Sequence, residues 1–515
     1  MGAFDEIRHL VVLMLENQSF DRLLGYLDLD DRTQKIEGVT GTETNPLSPP
    51  TDMTPVPVTR ISTPSAYVTD PGPGHDFEDV NQQLYADRAP SNTSAPANEG
   101  FVLNYSQQTG SDGRRLGARG RDIMQCLDPT LVPVLATLAR SFTVCDHWFA
   151  SVPGPTWPNR FFLHAGTAKG FLTTPETAGQ LVSQFWTSPY DMPTIFESLG
   201  NRGLTWTVYF DDYAQAFALR RLHPYGDRFQ RYEQFAQDVA RGTLPTYAFI
   251  EPRSFSAPGF PANDQHPPHD LLEGEKLIAE VYDTLRADDT LWRQSLLVVL
   301  YDEHGGFYDH VAPPRAVPPD ASRARPSGFA FDRLGVRVPA ILVSPWIAAG
   351  RVDHTVYDHT SVPATIKKMF GLPRFLTVLD RPRRGREHLR SELSAGCARC
   401  LAHESAPPGS DVGLRLTGRR GDVSLSALVA GAGGSGRKPA EVDGGRGRRG
   451  EACAGVPAAA AITLDAHWFL RSSAKSCPAI RPSATWRSSR GRGSWPSLRA
   501  GTRRSVASGR RANVA

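Results

Sequence analysis

Ser295-Leu296-Leu297-Val298-Val299-Leu300-Tyr301-Asp302-Glu303-His304-Gly305-Gly306 carries a leucine- and valine-rich run straight into two carboxylates, a histidine and a pair of glycines. A run so continuously apolar reads as a strand buried on both faces, as in the middle of a parallel sheet. Ligands gather at the carboxyl ends of such strands. Adjacent carboxylates there repel unless a cation lies between them, which points Asp302 and Glu303 toward a hard divalent metal. The alternative is that the pair caps the turn that follows.

A second strand end repeats the chemistry. His9–Leu15 runs directly into Glu16-Asn17-Gln18-Ser19-Phe20-Asp21. Glu16 and Asn17 offer oxygen ligands of the type magnesium, calcium or manganese accepts. They also suit the N-terminus of a helix over residues 19–27, with Ser19 or Asn17 as cap. A third stretch, Ser151-Val152-Pro153-Gly154-Pro155-Thr156-Trp157-Pro158-Asn159-Arg160, places Pro158 in the first turn of a helix and Thr156 just outside its N-terminus. Free N–H groups there favour a phosphate-like anion. A threonine hydroxyl becomes a nucleophile when a metal or base activates it.

ENQSFD at 16–21, PGPTWPNR at 153–160 and YDEHGGFYDH at 301–310 resemble the bacterial phosphoesterase family of phosphatidylcholine-preferring phospholipase C and acid phosphatase A. PGHDF at 73–77, DHWFASVPGPT at 146–156, HPP at 266–268, RVPAILVSPW at 337–346 and YDHTSVPATI at 357–366 extend it over residues 8–377. The resemblance implies an alkaline-phosphatase-like α/β fold, a three-layer sandwich around a mostly parallel sheet. It implies that Glu16, Asn17, Asp302 and Glu303 hold a divalent metal (Mg, Ca, Mn or Zn), with Thr156 as nucleophile and further ligand. His75 and His266 would line the phosphate pocket, with His304, Gln18 and Asn159 as additional pocket residues. Gln18 stands where relatives often carry Arg or His. The activity implied is phospholipase C cleavage of a phosphodiester through a phospho-threonine. A phosphomonoesterase is the alternative, and a non-catalytic or inactivated protein with a basic nucleic-acid-binding tail is a third reading.

Several residues allow two roles. Glu251 either supports the site as an acid or caps a strand end. Asp358 and Thr360 read as caps of a helix over residues 360–370. Trp148, Trp157, Trp186 and Tyr209 either fill the core or face a choline ammonium.

Strands and helices alternate through 204–210, 246–250 and 271–286 into the strand at 295, the pattern of a doubly covered sheet. No apolar stretch approaches the roughly 20 residues that cross a bilayer. The acidic start Met1-Gly2-Ala3-Phe4-Asp5-Glu6 is not a signal peptide, so a cytoplasmic location is expected, or export if the true start lies upstream. Cys126 and Cys145 are too few for a disulfide framework, and Cys397-Ala398-Arg399-Cys400 is a lone CxxC.

The net charge of +3 conceals a division. Residues 381–515 hold 25 Lys and Arg against 9 Asp and Glu, and the first 380 hold 32 against 45. The expected organisation is a catalytic domain over 1–377 and an Arg/Gly/Ser/Ala-rich tail over 378–515, mostly disordered because it lacks apolar surface to offset chain entropy. Its short apolar pieces, 425–429 and 456–470, are too isolated for a second core. The tail reads as an arm for nucleic acid or an anionic membrane, as a solubilising segment, or as a frameshift product of GC-rich DNA. Peripheral contact with a lipid surface would need an exposed apolar rim.

Overall fold

The computed structural model of the chain describes residues 6–29, 34–90, 94–175, 179–180, 183, 190–347, 349–372 and 425–432. Eight strands form its main sheet: His9–Leu15 (β1), Thr143–Cys145 (β2), Trp206–Phe210 (β3), Phe229–Arg231 (β4), Tyr247–Glu251 (β5), Ser295–Tyr301 (β6), Ala340–Val343 (β7) and Arg351–Asp353 (β8). Their spatial order is β8-β2-β7-β6-β1-β5-β3-β4. The run β6-β1-β5-β3-β4 is parallel throughout, and β7 is antiparallel to both its neighbours. The sheet is therefore mostly parallel, as its continuous apolar strands imply.

All seven residues of β6 and the last six of β1 are buried, so both faces of the sheet are covered. Two groups of helices flank the strands of the sheet. Leu271–Arg286 packs against Pro133–Ser141, while Thr156–Ala165 packs against Ser361–Phe370 and Ile195–Gly200. This is the expected three-layer α/β sandwich. Each core Leu, Val or Phe withdrawn from water contributes about 1.5–3 kcal/mol, and the strands of the main sheet supply a large share of one continuous core.

The register of β1 and β6 positions the site. Leu15 pairs with Tyr301, so the two strands end level and Glu16 leaves the sheet beside Asp302. Helix 271–286 has the expected bounds. The first helix is shorter than expected, Phe20–Leu24, because its C-terminal end is turned at Gly25. Ser19 is its cap, accepting the N–H of Arg22 at 3.2 Å. The helix expected over 360–370 begins at Ser361, and the strand at 204–210 is formed only from Trp206.

Cys126 and Cys145 are free and buried. Of the tail, Leu425–Ala432 is described as a helix packed on Leu271–Arg286. Leu425 and Val429, one turn apart, enter the main core rather than a core of their own. Asp283 caps this helix, accepting the N–H groups of Leu425 and Ser426 at 3.1 Å each. The remaining tail, with its CxxC and the apolar piece 456–470, lies outside the described residues.

Candidate active site

Beyond the level ends of β1 and β6 the two chains bond to each other. The Asn17 N–H donates to Asp302 Oδ1 at 3.1 Å, and the Gln18 N–H donates to Glu303 O at 3.0 Å. Asn17 takes a left-handed conformation with φ 60°, an uncommon one for a residue with a side chain. The two glycines permit this closeness. A Cβ on Gly305 would lie 2.2 Å from Asn17 O, and one on Gly306 would lie 2.3 Å from Gly74 O. Gly306 thereby admits the loop that carries His75.

Glu16, Asn17, Asp302 and Glu303 are thus brought together and buried. Burial pushes Asp302 well up and Glu303 up to about 7, with Arg160 opposing the first shift and His75 the second. Glu16 adds to both. Arg160 lies between two of these groups, 3.0 Å from Glu16 Oε1 and 3.4 Å from Asp302 Oδ2. Gln215 also donates to Glu16. The side-chain oxygen of Asn17 and Oε1 of Glu303 are buried with no hydrogen-bond donor. Unpaired oxygens beside carboxylates pushed up by burial fit a hard divalent cation, which would satisfy the oxygens and hold the acids ionised.

Among the described residues, the groups that bring three acidic or histidine ligand atoms within 4.8 Å of one another are Asp21/Asp309/His310 and Asp146/His147/His354, a closeness that Glu16, Asp302 and Glu303 do not reach. In the first, a cation is built in. Arg337 reaches Asp21 Oδ1 and Asp309 Oδ1 at 2.9 Å each. In the second, the two imidazoles lie 3.1 and 2.9 Å from the Asp146 carboxylate.

Thr156 opens the helix Thr156–Ala165 with Pro155 as its cap. Pro158 therefore sits one residue further in than the sequence implied, and Thr156 is helical rather than just outside. Thr156 and Arg160, four residues apart, share one face of this helix, and Arg160 reaches Glu16 and Asp302. Asn159 folds the preceding loop onto the helix. Its Oδ1 accepts the Val152 N–H at 2.9 Å, and its Nδ2 faces the carbonyls of Val152, Gly154 and Pro155. Expected in the pocket, Asn159 spends its amide on the loop. Ser151 ties the same loop to Asp358, donating to Oδ2 at 2.8 Å. Asp358 thus anchors the loop, beyond the capping role the sequence suggested.

His75 and His266 meet edge-on, ring centroids 5.5 Å apart. Nδ1 of His75 lies 3.0 Å from Pro73 O and Nδ1 of His266 lies 2.6 Å from Pro267 O. A carbonyl accepts only, so Nδ1 carries the proton in each and Nε2 remains for chemistry. Beside them His269 binds Asp264 at 2.6 Å. Burial would lower His269, but the bond and charge of Asp264 raise it.

His304 is buried, with its Nδ1 3.3 Å from Glu303 Oε2. It lies against Phe101, its Nε2 is 2.8 Å from Gln83 Oε1, and burial lowers it to about 3. Gln18 donates to Gln265 O at 2.9 Å with its own oxygen left unpaired. Glu251, raised by burial to about 7, accepts the Ala216 N–H at 3.0 Å and so caps the turn bearing Gln215. Trp148, Trp157 and Tyr209 are core residues, packed respectively on Tyr357, on Tyr190, and against Phe235. They form no cage, and Trp186 lies outside the described residues.

The sequence reading missed Arg160, Asp264, Gln215 and His359. Trp148 Nε1 donates to His359 Nδ1 at 3.2 Å, so His359 Nε2 carries the proton that meets Asp302 O at 2.6 Å. Only Arg160 had a signal, its place four residues after Thr156.

The model of the Phosphoesterase family matches residues 7–373. The chain belongs to this family. The phosphoesterase is 39% identical to non-specific phospholipase C6 of Arabidopsis thaliana, over 82% of this chain and 78% of that protein. It is 38% identical to non-specific phospholipase C3 of the same plant, over 73% and 71%. Phospholipase C B of Mycobacterium tuberculosis is 28% identical over 72% and 75%. As a family member the protein is a phosphoric ester hydrolase, and its mostly parallel, doubly covered sheet agrees with the fold the resemblance implied. Residues 8–377 make up about 72% of the chain, so the first match takes in part of the arginine-rich region as well.

Proposed function

We propose that this phosphoesterase is a phospholipase C-type phosphodiesterase with Thr156 as nucleophile. The observation that carries the reading is the shared helical face, with Thr156 one turn before an Arg160 that binds both Glu16 and Asp302. Relatives named as phospholipases C support a lipid diester as the substrate class.

Glu16, Asn17, Asp302 and Glu303, with Thr156 Oγ1, would hold a divalent cation, which when bound neutralises phosphoryl charge and favours the threonine alkoxide. The N–H groups at the start of the Thr156 helix add positive potential. Thr156 Oγ1 attacks phosphorus in line, and the bond from phosphorus to the diacylglycerol oxygen breaks. His266 Nε2, which takes up the proton that Thr156 Oγ1 loses, gives it to the departing oxygen, with His75 beside it. Water then attacks the phospho-threonine, its proton returns to the imidazole, and the phosphorylated head group leaves as Thr156 is restored.

The test compares phosphatidylcholine with p-nitrophenyl phosphate, with and without chelator. Diester hydrolysis should exceed monoester hydrolysis, stop on chelation, and leave acid-stable label on Thr156 from a phosphorus-labelled diester. A faster monoesterase would overturn the substrate class, and chelator-resistant turnover would overturn the metal.

A further inference from the structure

The segment Phe255-Ser256-Ala257-Pro258-Gly259-Phe260-Pro261 is exposed at every residue, and no charged residue lies between Arg253 and Asp264. Phe255 and Phe260 are 58% and 60% exposed, the two most exposed large hydrophobic side chains among the described residues. An apolar tip of this kind costs solvation free energy unless something covers it.

Part of its backbone is paired within the loop or to Asp212. Ala257 and Phe260 exchange N–H···O bonds of 2.8 Å, closing a small hairpin around Gly259, which has φ 77°. The N–H groups of Ser254 and Phe255 donate to Asp212 Oδ2 at 2.9 and 2.8 Å, and that of Ala262 donates to Ser256 Oγ at 3.0 Å. Pro258 and Pro261 have no N–H to satisfy. With these N–H groups already paired, the loop loses fewer backbone hydrogen bonds on entering a water-poor layer.

The neck of the hairpin is clamped and leads into the site. The Arg253 N–H donates to Asn263 Oδ1 at 2.6 Å and the Asn263 N–H donates to Arg253 O at 3.0 Å. The next residue, Asp264, accepts the Glu16 N–H on its carbonyl at 2.9 Å, and His266 follows two residues on. Arg253 lies 5.2 Å from the Phe260 ring centroid and is paired to Asp211 at 2.6 Å. The tip therefore carries aromatic surface without a free cation, which suits a zwitterionic surface better than an anionic one.

We infer that the 255–261 hairpin inserts Phe255 and Phe260 into the interface of a phosphatidylcholine-type bilayer, holding the mouth of the site against the layer from which substrate is drawn. The lipid nature of that surface rests on the phosphodiesterase reading. Aromatic rings at an interfacial tip bind through their buried apolar area.

The test uses the full chain and the double variant Phe255→Ser with Phe260→Ser, checked for an unchanged thermal transition. Co-sedimentation with phosphatidylcholine vesicles, and their hydrolysis, should fall about tenfold or more. Turnover of soluble p-nitrophenylphosphorylcholine should stay within about twofold. A Phe260→Trp variant should show blue-shifted emission on adding vesicles. Undiminished vesicle binding by the double variant, unshifted emission from the Phe260→Trp variant, or an equal fall in soluble turnover would each overturn the inference. A parent that binds vesicles but hydrolyses no diester would instead refute the proposed function and leave the docking surface standing.

Discussion

Asn17 and Asp302, 285 residues apart in the chain, are joined by a 3.1 Å hydrogen bond from the backbone of one to the carboxylate of the other. The bond exists because β1 and β6 end level and because Gly305 has no side chain. Gly305→Ala would need a Cβ 2.2 Å from Asn17 O on a backbone with φ 64°. The expected result is a loss of about 1–3 kcal/mol of stability and a disproportionate loss of turnover. Denaturant melts and kcat measured on one preparation check both.

Thr156→Ala should lower diester turnover about a thousandfold or more, whereas Thr156→Ser should keep a substantial fraction. The hydroxyl is what the chemistry needs, and serine supplies it. Equal activity of Thr156→Ala and parent in a single-turnover assay would remove Thr156 from the mechanism.

Arg160→Met leaves Glu16 and Asp302 buried without their guanidinium. Stability should drop by about 3–5 kcal/mol, and more at neutral than at acid pH, because protonation relieves an unpaired carboxylate. Urea titrations of the variant at the two pH values measure the difference.

Glu275 titrates apart from the site. It accepts the N–H groups of Val134 and Leu135 at 2.7 and 3.3 Å, and burial pushes it up to about 8. The folded protein keeps a proton on Glu275 that the unfolded chain releases near pH 4.5. This contribution is complete below the unfolded value and is lost as pH rises through about 8. Glu275→Gln keeps the acceptor and removes the titration, so it should flatten the fall in stability by up to about 1.4 kcal/mol per pH unit across that window. Calorimetric or urea-derived stabilities of both proteins, compared from about pH 5 to about pH 8.5, give the slopes.

Leu425→Asp with Val429→Asp puts two charges into the main core. A cost of about 2–5 kcal/mol is expected, seen as a lower thermal midpoint. An unchanged midpoint would mean that this helix adds nothing to the domain.

The sheet was legible because the continuous apolar runs at 9–15 and 295–301 leave little choice but burial on both faces. The four acidic and amide residues at their ends followed from the same runs, since strand ends in a parallel sheet converge. His304 stays beside Glu303, as its place in the sequence implies, with its Nδ1 3.3 Å from Glu303 Oε2. Phe101 and Gln83 hold it in the interior. Gln215 and Asp264 stayed hidden because their meaning lies in contacts across 199 and 248 residues of chain. The packing of Leu425 and Val429 was hidden too, since composition averages over a segment and two apolar residues one turn apart suffice to join a core.

Arg337 donates to side chains or carbonyls of Asp21, Glu37, Asp146 and Asp309, and is itself fully buried. In a chain made from its N-terminus, those partners emerge from the ribosome before the one cation that binds them together. Shorter nascent chains hold Asp21 and Asp309 with no guanidinium to share, so this corner of the domain closes as a late event of synthesis.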